Sequence, residues 1–238
     1  MTAMQDVRMH GASNRFLIHF GKGDVQQLLS QLNGADGLLL VEEDKEVDAM
    51  MRIFNADGSE AKQCGNGMRC VALHLHKSKL VSSNTVMIRT LSGISKCIVR
   101  EPSNEVAVTM CAPSTETISI SPFPELTLVD LGNVNAVLWV EDDPLIARAA
   151  MGEQIATHKE FADGMNVHFA RRDGAQYATC ASYERGVGNT HASGTGGAAV
   201  FVGSGAQGPF YVSSVGGTLT YAYNESGEIV MAGPASYD

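Results

Sequence analysis

A strand, a loop and a glycine-flanked helix start occur in the same order twice along this chain of 238 residues. The first helix start is Cys-Gly-Asn-Gly at 64–67, and the second is Ser-Gly-Thr-Gly at 193–196, a little over half the chain away. This length allows one large domain or two small ones. The repeat predicts two similar halves that face each other. A stretch rich in Pro, Ser and Thr at 111–125 lies near the midpoint, so we expect the halves to span residues 1–114 and 115–238.

Short segments rich in β-branched residues and punctuated by Gly, Asn, Asp or Ser dominate both halves, which favours strands. Helical periodicity is rarer and predicts helices at 24–32, 66–80 and 142–155, with a shorter one after Gly196. The expected fold class is therefore α+β. The predicted strands are 7–10, 15–20, 38–43, 50–54, 85–90, 105–110, 126–131, 136–141, 166–170, 178–184, 210–215, 219–224 and 228–233.

Composition excludes several classes of function. The formal net charge of −9 is unsuited to nucleic-acid backbones or anionic membranes, which need a basic face. No apolar run approaches the roughly 18 residues that a membrane span requires. The N-terminus lacks the basic-then-apolar layout of a signal peptide. We expect a soluble, cytoplasmic protein that binds neither nucleic acid nor membrane.

The five cysteines are an odd number with no Cys-x-x-Cys pair. Zinc sites and secreted disulfide frameworks usually show closer or even pairing, so neither is expected. Most of these thiols should be reduced, buried and inert. No metal site is predicted.

The first helix start offers chemistry through Cys64. Gly65 and Gly67 flank Asn66 where a helix begins, so unpaired backbone N–H groups and the helix dipole should bind an anion such as a carboxylate. A thiol placed immediately before a helix is favoured in its reactive thiolate form. A glycine-rich turn with an incidental cysteine is the alternative interpretation.

The second helix start presents Ser193 in the equivalent position, with Glu184 and Arg185 upstream. If the halves face each other, Cys64 and Ser193 would lie on opposite sides of one carbon whose carboxylate bridges both helix N-termini. A two-base racemase needs that arrangement, because one group removes the α-proton while the other protonates the opposite face. A linker-like run of glycines is the alternative.

The longer motifs resemble the diaminopimelate epimerase family. They are FNADGSE followed by QCGNG-x-RC, then YERG-x-G-x-T before the second loop, with RMHGASNRF, LGNVNAV, DGMNVHF and MAGPASYD in the same order. The resemblance implies two pseudo-symmetric halves, each a β-sheet wrapped around a central helix, with the active site in the cleft between them. It implies a cofactor-free epimerase that interconverts L,L- and meso-diaminopimelate for lysine and peptidoglycan synthesis, as a homodimer.

The resemblance also assigns site residues. Cys64 is the catalytic acid/base thiol, and Ser193 occupies the position of the family's second catalytic cysteine. Arg185 would hold the distal carboxylate, since a guanidinium can bind it bidentately, and Glu184 would hold an ammonium group. The remaining expected substrate-binding residues are Asn14, Asn55, Gly65, Asn66, Asn133, Asn166, Gly194 and Thr195.

Departures from the family pattern qualify these assignments. A serine hydroxyl is a much weaker acid than a thiol, whose ordinary pKa is about 8.5, so proton transfer on that face should be slower. The chain also stops at Asp238, before the usual final strand that returns to the first half. The other departures are Ser13 for Gly, Gly37 for Gln, Asn135 for His and Asn189 for Glu.

Three explanations for Ser193 remain open from sequence. It is an introduced substitution in an active epimerase, a natural feature of a one-base relative, or a mark of a binding protein without turnover. The one-base relative would process another amino acid or catalyse an elimination in place of epimerisation. No lysine lies in a context that suggests pyridoxal phosphate, so no cofactor is expected. The predicted partner is a small amino-acid substrate.

Overall fold

The computed structural model describes residues 5–238, which form two compact units. The first unit runs to Thr109 and also includes Ala232–Asp238, while the second is Met110–Met231. The first unit thus ends before position 114, and the last residues of the chain belong to it. The four helices within residues 5–238 are α1 (Val25–Leu29), α2 (Gly65–Lys77), α3 (Pro144–Ala156) and α4 (Gly194–Gly203).

In the first unit a sheet surrounds α2. Neighbouring strands run β8–β7–β6–β4–β3–β2–β1–β18, with β5 beside β4. Helix α2 contacts β1, β2, β6, β7 and β8, and ten consecutive residues from Asn66 to Leu75 are buried. The strands are β1 (Val7–Gly11), β2 (Asn14–Phe20), β3 (Gly37–Glu42), β4 (Ala49–Asn55), β5 (Glu60–Ala61), β6 (Thr85–Thr90), β7 (Gly93–Arg100), β8 (Glu105–Thr109), β17 (Ile229–Pro234, which begins in the second unit) and β18 (Ser236–Tyr237).

The second unit repeats this plan around α4. Its strands follow the order β9–β10–β11–β12–β13–β15–β16, with β14 beside the end of β13. Helix α4 contacts β10 to β13, β15 and β16, and Gly196–Phe201 are buried. The strands are β9 (Ser114–Ile118), β10 (Leu126–Asp130), β11 (Val134–Trp139), β12 (Asn166–Gly174), β13 (Tyr177–Glu184), β14 (Gly188–Thr190), β15 (Phe210–Ser214) and β16 (Gly217–Tyr223).

The other two helices cover the outside of the sheets. Helix α1 contributes Leu28 to a cluster with Leu17, Leu38 and Phe54. Helix α3 starts with Pro at its first position behind an Asp143 cap, a favourable helix entry, and packs on β12 and β13. The predicted α+β fold with two similar halves, each wrapped around a central helix, is confirmed.

The chain was expected to stop before a final strand that returns to the first half, but the structure contains such a strand. β18 pairs with β1, with Met9 opposite Tyr237 and His10 opposite Ser236. The end of the chain therefore does return to the first unit, and the expectation that the chain stops before such a strand is wrong. β5, β7, β9, β14 and β18 were also absent from the predicted strands, because they are short or carry exposed polar side chains on one face. None of the helices within 5–238 is long and apolar enough to span a membrane.

Candidate active site

Cys64 caps the N-terminus of α2. Its backbone is extended, with φ −149° and ψ 102°, and its Sγ accepts a hydrogen bond from the N–H of Gly67 at 3.4 Å. The side chain is half-buried. A sulfur at this position faces the positive end of the helix dipole, which stabilises negative charge. Gly67 is required by packing, since a Cβ there would lie 3.0 Å from both methyl groups of Leu39.

Three asparagines predicted to bind substrate lie in the first unit. Asn66 is buried; its Nδ2 lies 3.5 Å from Asn14 Oδ1, and its Oδ1 has no hydrogen-bond partner among residues 5–238. Asn14 Nδ2 in turn donates to Asp36 at 3.0 Å. The structure therefore brings Asn14 and Asn66 together beside the helix start. Asn55 ends β4 and donates to Ser59 Oγ at 3.0 Å.

Two departures from the family pattern lie where the backbone is constrained. Ser13 has φ +62°, in the left-handed region that glycine adopts more easily than serine. Gly37 pairs with Asn55 across β3 and β4, and a Cβ on it would lie 2.7 Å from the carbonyl oxygen of Phe54. The larger residue of the family would not fit there without a shift of backbone.

Ser193 caps α4 as Cys64 caps α2. Its backbone is extended, with φ −124° and ψ 120°, and its Oγ accepts a hydrogen bond from the N–H of Gly196 at 3.0 Å. The same hydroxyl donates to Glu184 Oε1 at 2.6 Å. Gly194 and Thr195 form the first turn, and the Tyr221 hydroxyl donates to the Gly194 carbonyl at 3.0 Å.

Glu184 is half-buried at the end of β13. Burial raises the pKa of its carboxyl above the ordinary value, and the hydrogen bond from Ser193 opposes that rise. A carboxylate that burial makes more basic, held against a hydroxyl, is suited to accept a proton through that hydroxyl.

The remaining predicted residues of the second unit lie around the start of β12. Asn166 Oδ1 accepts the backbone N–H of Arg185 at 3.0 Å, while its Nδ2 donates to the Val134 carbonyl. Arg185 is exposed, and its Nη1 lies 3.4 Å from the Asp163 carbonyl oxygen. Asn133 is half-buried, and its carbonyl accepts from Asn135. The structure thus links Asn166 to Arg185, and Ser193 to Glu184, by hydrogen bonds.

Sequence reasoning missed a buried polar chain behind α4. Asn135 Nδ2 donates to the Asn133 carbonyl at 2.8 Å, so its Oδ1 faces His168 Nε2 at 3.1 Å and accepts that proton. His168 Nδ1 then accepts from Ser182 Oγ at 2.9 Å. Burial lowers the pKa of His168 to about 3, so the ring is neutral. The available signal was a histidine inside the otherwise apolar run 167–170.

A buried arginine was also missed. Arg69 in α2 is fully buried, and its Nε donates to the Pro234 carbonyl at 3.3 Å. A Cβ at Gly11 would lie 3.0 Å from Arg69 Nη2, so glycine is needed on β1. The arginine thus ties the central helix to the returning strand β17. Cys70, expected to be a core residue, is buried, and burial raises its pKa to about 12.

Comparison with known families identifies the class of protein. The family model described as diaminopimelate epimerase matches residues 9–116 and 127–237. The chain belongs to the diaminopimelate epimerase family. Each matched segment contains one of the two central helices, and family membership makes this chain an isomerase of the epimerase and racemase type.

Curated relatives and solved structures agree. Diaminopimelate epimerase of Geobacillus kaustophilus is 33% identical over 85% of this chain and 79% of its own length. The enzyme of Bacillus licheniformis is 32% identical over 99% of this chain and 96% of its own. In fold, the chain resembles a probable proline racemase from Agrobacterium radiobacter K84, with a TM-score of 0.75 and 17% identity over 97% of this chain and 89% of that one. It also resembles a PhzF-family phenazine biosynthesis protein of Bacillus anthracis, with a TM-score of 0.73 and 16% identity over 98% of this chain and 97% of that one.

Proposed function

We propose that this epimerase-family protein interconverts L,L- and meso-diaminopimelate without a cofactor. The observation that carries the proposal is the equivalence of Cys64 and Ser193. Each residue is the N-cap of its unit's central helix, each has an extended backbone, and each accepts the N–H three residues on. A two-base epimerase needs one proton-transferring group for each face of the α-carbon.

In this mechanism Cys64 removes or returns the α-proton on one face of the α-carbon. Ser193 occupies the position of the second proton-transferring group, on the opposite face. The first-turn N–H groups of α2 and α4 donate hydrogen bonds to the α-carboxylate and stabilise the charge that develops on it. They belong to Gly65, Asn66, Gly194 and Thr195. Backbone donors of this kind are preorganised, so they need not reorient during the reaction.

The substrate class follows from the residues that the family uses to hold the rest of the molecule. Arg185 would bind the distal carboxylate, and Glu184 an ammonium group. The asparagines have side-chain amides that can serve either charged group. Asn14, Asn55, Asn133 and Asn166 complete this set. Its presence favours a substrate with a second amino-acid head, as diaminopimelate has.

Ser193 favours one second candidate: a one-base or non-catalytic relative that binds or processes a different amino acid. Such a protein would use the same helix starts, but it would not interconvert the two diaminopimelate epimers. We also propose, from family membership, that the protein acts in the cytoplasm as a homodimer. Light scattering on the purified chain tests the dimer.

The deciding experiment is proton NMR in D2O with L,L- and meso-diaminopimelate added separately. The unmodified chain should exchange the α-proton of at least one epimer, and Ser193→Cys should exchange and interconvert both about 10² to 10⁴ times faster, the range that a positioned acid or base contributes. Exchange by neither protein would refute the epimerase proposal. Tight binding without exchange would support the second candidate.

A further inference from the structure

A groove lined by both signs of charge lies within the second unit, at the opposite end of α4 from Ser193. Its volume is about 710 Å³, which is in the range of small-molecule sites. Because Trp139 is the last residue of β11, we call it the strand-end groove. The ten residues of α4 separate it from the Ser193 cap by about 15 Å. The residues that line it are Trp139, Val140, Glu141, Arg171, Arg172 and Gly203.

Arg172 is held in place on the wall of the groove. Its Nη2 donates to the carbonyl of Ser204, just after α4, at 2.7 Å. Its Cζ lies 5.3 Å from the centre of the Trp139 ring, and a guanidinium over an indole face is stabilised by cation–π attraction. Since two contacts already order this side chain, little conformational freedom remains to be lost when it binds an anion.

Arg171 adds a second guanidinium. Its Nε donates to Asp173 at 2.9 Å, but within residues 5–238 its two Nη groups and the indole N–H of Trp139 have no protein acceptor. Gly203 leaves the indole edge uncovered, because a Cβ there would lie 3.7 Å from Trp139 Nε1. Such donors suit a carboxylate, which a guanidinium can bind through two parallel hydrogen bonds. In a chain of net charge −9, two adjacent arginines are a local exception that attracts an anion.

The other lining residues restrict the rest of the ligand. Glu141 is exposed and forms no ion pair within the described part of the chain, so its carboxylate can receive an ammonium group. The same charge repels a second negative group on the ligand, which disfavours phosphates and dicarboxylates. Trp139 and Val140 offer apolar surface to a hydrocarbon body.

We propose that the strand-end groove binds a free α-amino acid with an aliphatic side chain. The carboxylate pairs with Arg171 and Arg172, the ammonium group pairs with Glu141, and the side chain lies against Trp139 and Val140. None of these residues takes part in the proposed epimerisation. The inference therefore goes beyond that function and does not depend on it.

The test uses the fluorescence of Trp139, which is the only tryptophan of the chain and reports directly on the groove. The unmodified chain is titrated with L-leucine, with 4-methylpentanoate, which lacks the ammonium group, with 3-methylbutylamine, which lacks the carboxylate, and with inorganic phosphate. We expect a saturable change with leucine at millimolar concentrations. The two analogues should bind at least about tenfold more weakly, because each loses one charged contact. Phosphate should give no saturable change.

Substitutions assign the two charged contacts. Arg172→Gln should weaken leucine binding at least about tenfold. Arg172 also holds the end of α4, so Arg171→Gln, which leaves the bond to Ser204 intact, provides a second loss of affinity, and urea unfolding confirms that each variant is folded. Glu141→Gln should weaken the binding of leucine but not of 4-methylpentanoate, since only leucine carries an ammonium group.

Two control variants locate the response. Arg100→Gln removes an exposed arginine of the first unit and should bind leucine as the unmodified chain does. Cys64→Ala removes the thiol of the candidate active site and should leave the leucine titration unchanged. A loss of the response in Cys64→Ala would place leucine in the active site and overturn the proposal.

The remaining outcomes also decide the matter. The absence of a saturable response to leucine would overturn the proposal, and so would an unchanged leucine affinity in both Arg171→Gln and Arg172→Gln. Saturation by phosphate without saturation by leucine would show that the groove is a site for a different class of anion. Equal affinities for leucine and 4-methylpentanoate in the unmodified chain would refute the contact between Glu141 and an ammonium group.

Discussion

The imidazole of His168 fills the space that a side chain at Gly196 would need. A Cβ on Gly196 would lie 2.3 Å from His168 Cε1 and 2.4 Å from Nδ1, far inside van der Waals contact. The same Cβ would lie 2.9 Å from the Cβ of Ser193. The buried polar chain behind α4 therefore sets how closely the helix start, and its capping serine, approach the sheet.

Gly196→Ala should disturb this helix start. The ring of His168 is held by hydrogen bonds at both nitrogens and has little freedom to withdraw. We expect a loss of about 1–3 kcal/mol in the free energy of unfolding, as for other overpacked interiors, together with lower epimerase activity. Gly208→Ala is the control, because a Cβ there meets nothing within 4 Å. Equal urea midpoints for the two variants would contradict the argument.

Helices and their caps could be predicted, because they depend on sequence patterns within a few neighbouring residues. The four helices in the described part of the chain were all predicted, and the capping role of Cys64 and Ser193 follows from glycine-flanked helix starts. What the sequence did not reveal is how the central helices are packed. Arg69 and His74 are polar residues of helix α2, and nothing local to them predicts burial. Both side chains are nevertheless buried, because the surrounding strands supply partners such as the Pro234 carbonyl.

Contacts between residues far apart in the sequence could not be predicted either. Nothing local to Asn135 or His168 indicates that they lie on neighbouring strands, β11 and β12, and share a hydrogen bond. Asn135 was noted only as a departure from a family histidine. Similarly, Ser236 and Tyr237 form too short a segment to predict a strand, and only pairing with β1 gives them one. Such features depend on residues far apart in the sequence.

Thiol labelling should separate Cys64 from the core cysteines. Cys70, Cys97 and Cys180 are buried, and burial raises the pKa of each to about 12, so they should stay protonated and protected. Iodoacetamide at pH 8 should modify Cys64 and the exposed Cys111 in the folded protein, and the other three only in urea. Diaminopimelate should slow labelling at Cys64 but not at Cys111. Mass spectrometry of peptides checks both points, and labelling of the core thiols at the rate of Cys111 would contradict their burial.

His168 should make the protein sensitive to mild acid. Burial lowers its pKa from 6.5 to about 3, so below pH 6.5 the unfolded chain binds a proton that the folded chain does not. Stability from this residue is complete above pH 6.5 and falls by about 1.4 kcal/mol per pH unit below it, down to the folded pKa. Urea unfolding at pH 6.5 and pH 5 should show a difference of about 2 kcal/mol that is missing in His168→Gln. An identical pH dependence in the variant would show that the buried ring is not responsible.

Glu184 should have the opposite effect on stability. Burial raises its pKa in the folded state, so the folded chain holds this proton more tightly than the unfolded chain does. Its contribution to stability is complete below the unfolded pKa and is lost as the pH rises through the folded pKa. At pH 8 the ionised carboxylate therefore carries its full desolvation cost, which the neutral amide of Glu184→Gln does not have.

We therefore expect Glu184→Gln to be more stable than the unmodified chain at pH 8, and the advantage to shrink towards pH 4 as the glutamate becomes protonated. Urea unfolding at the two pH values measures it, and the exposed Glu153→Gln should show no such pH-dependent gain. A variant that is less stable at pH 8 would mean that the charged hydrogen bond from Ser193 outweighs the cost of burial.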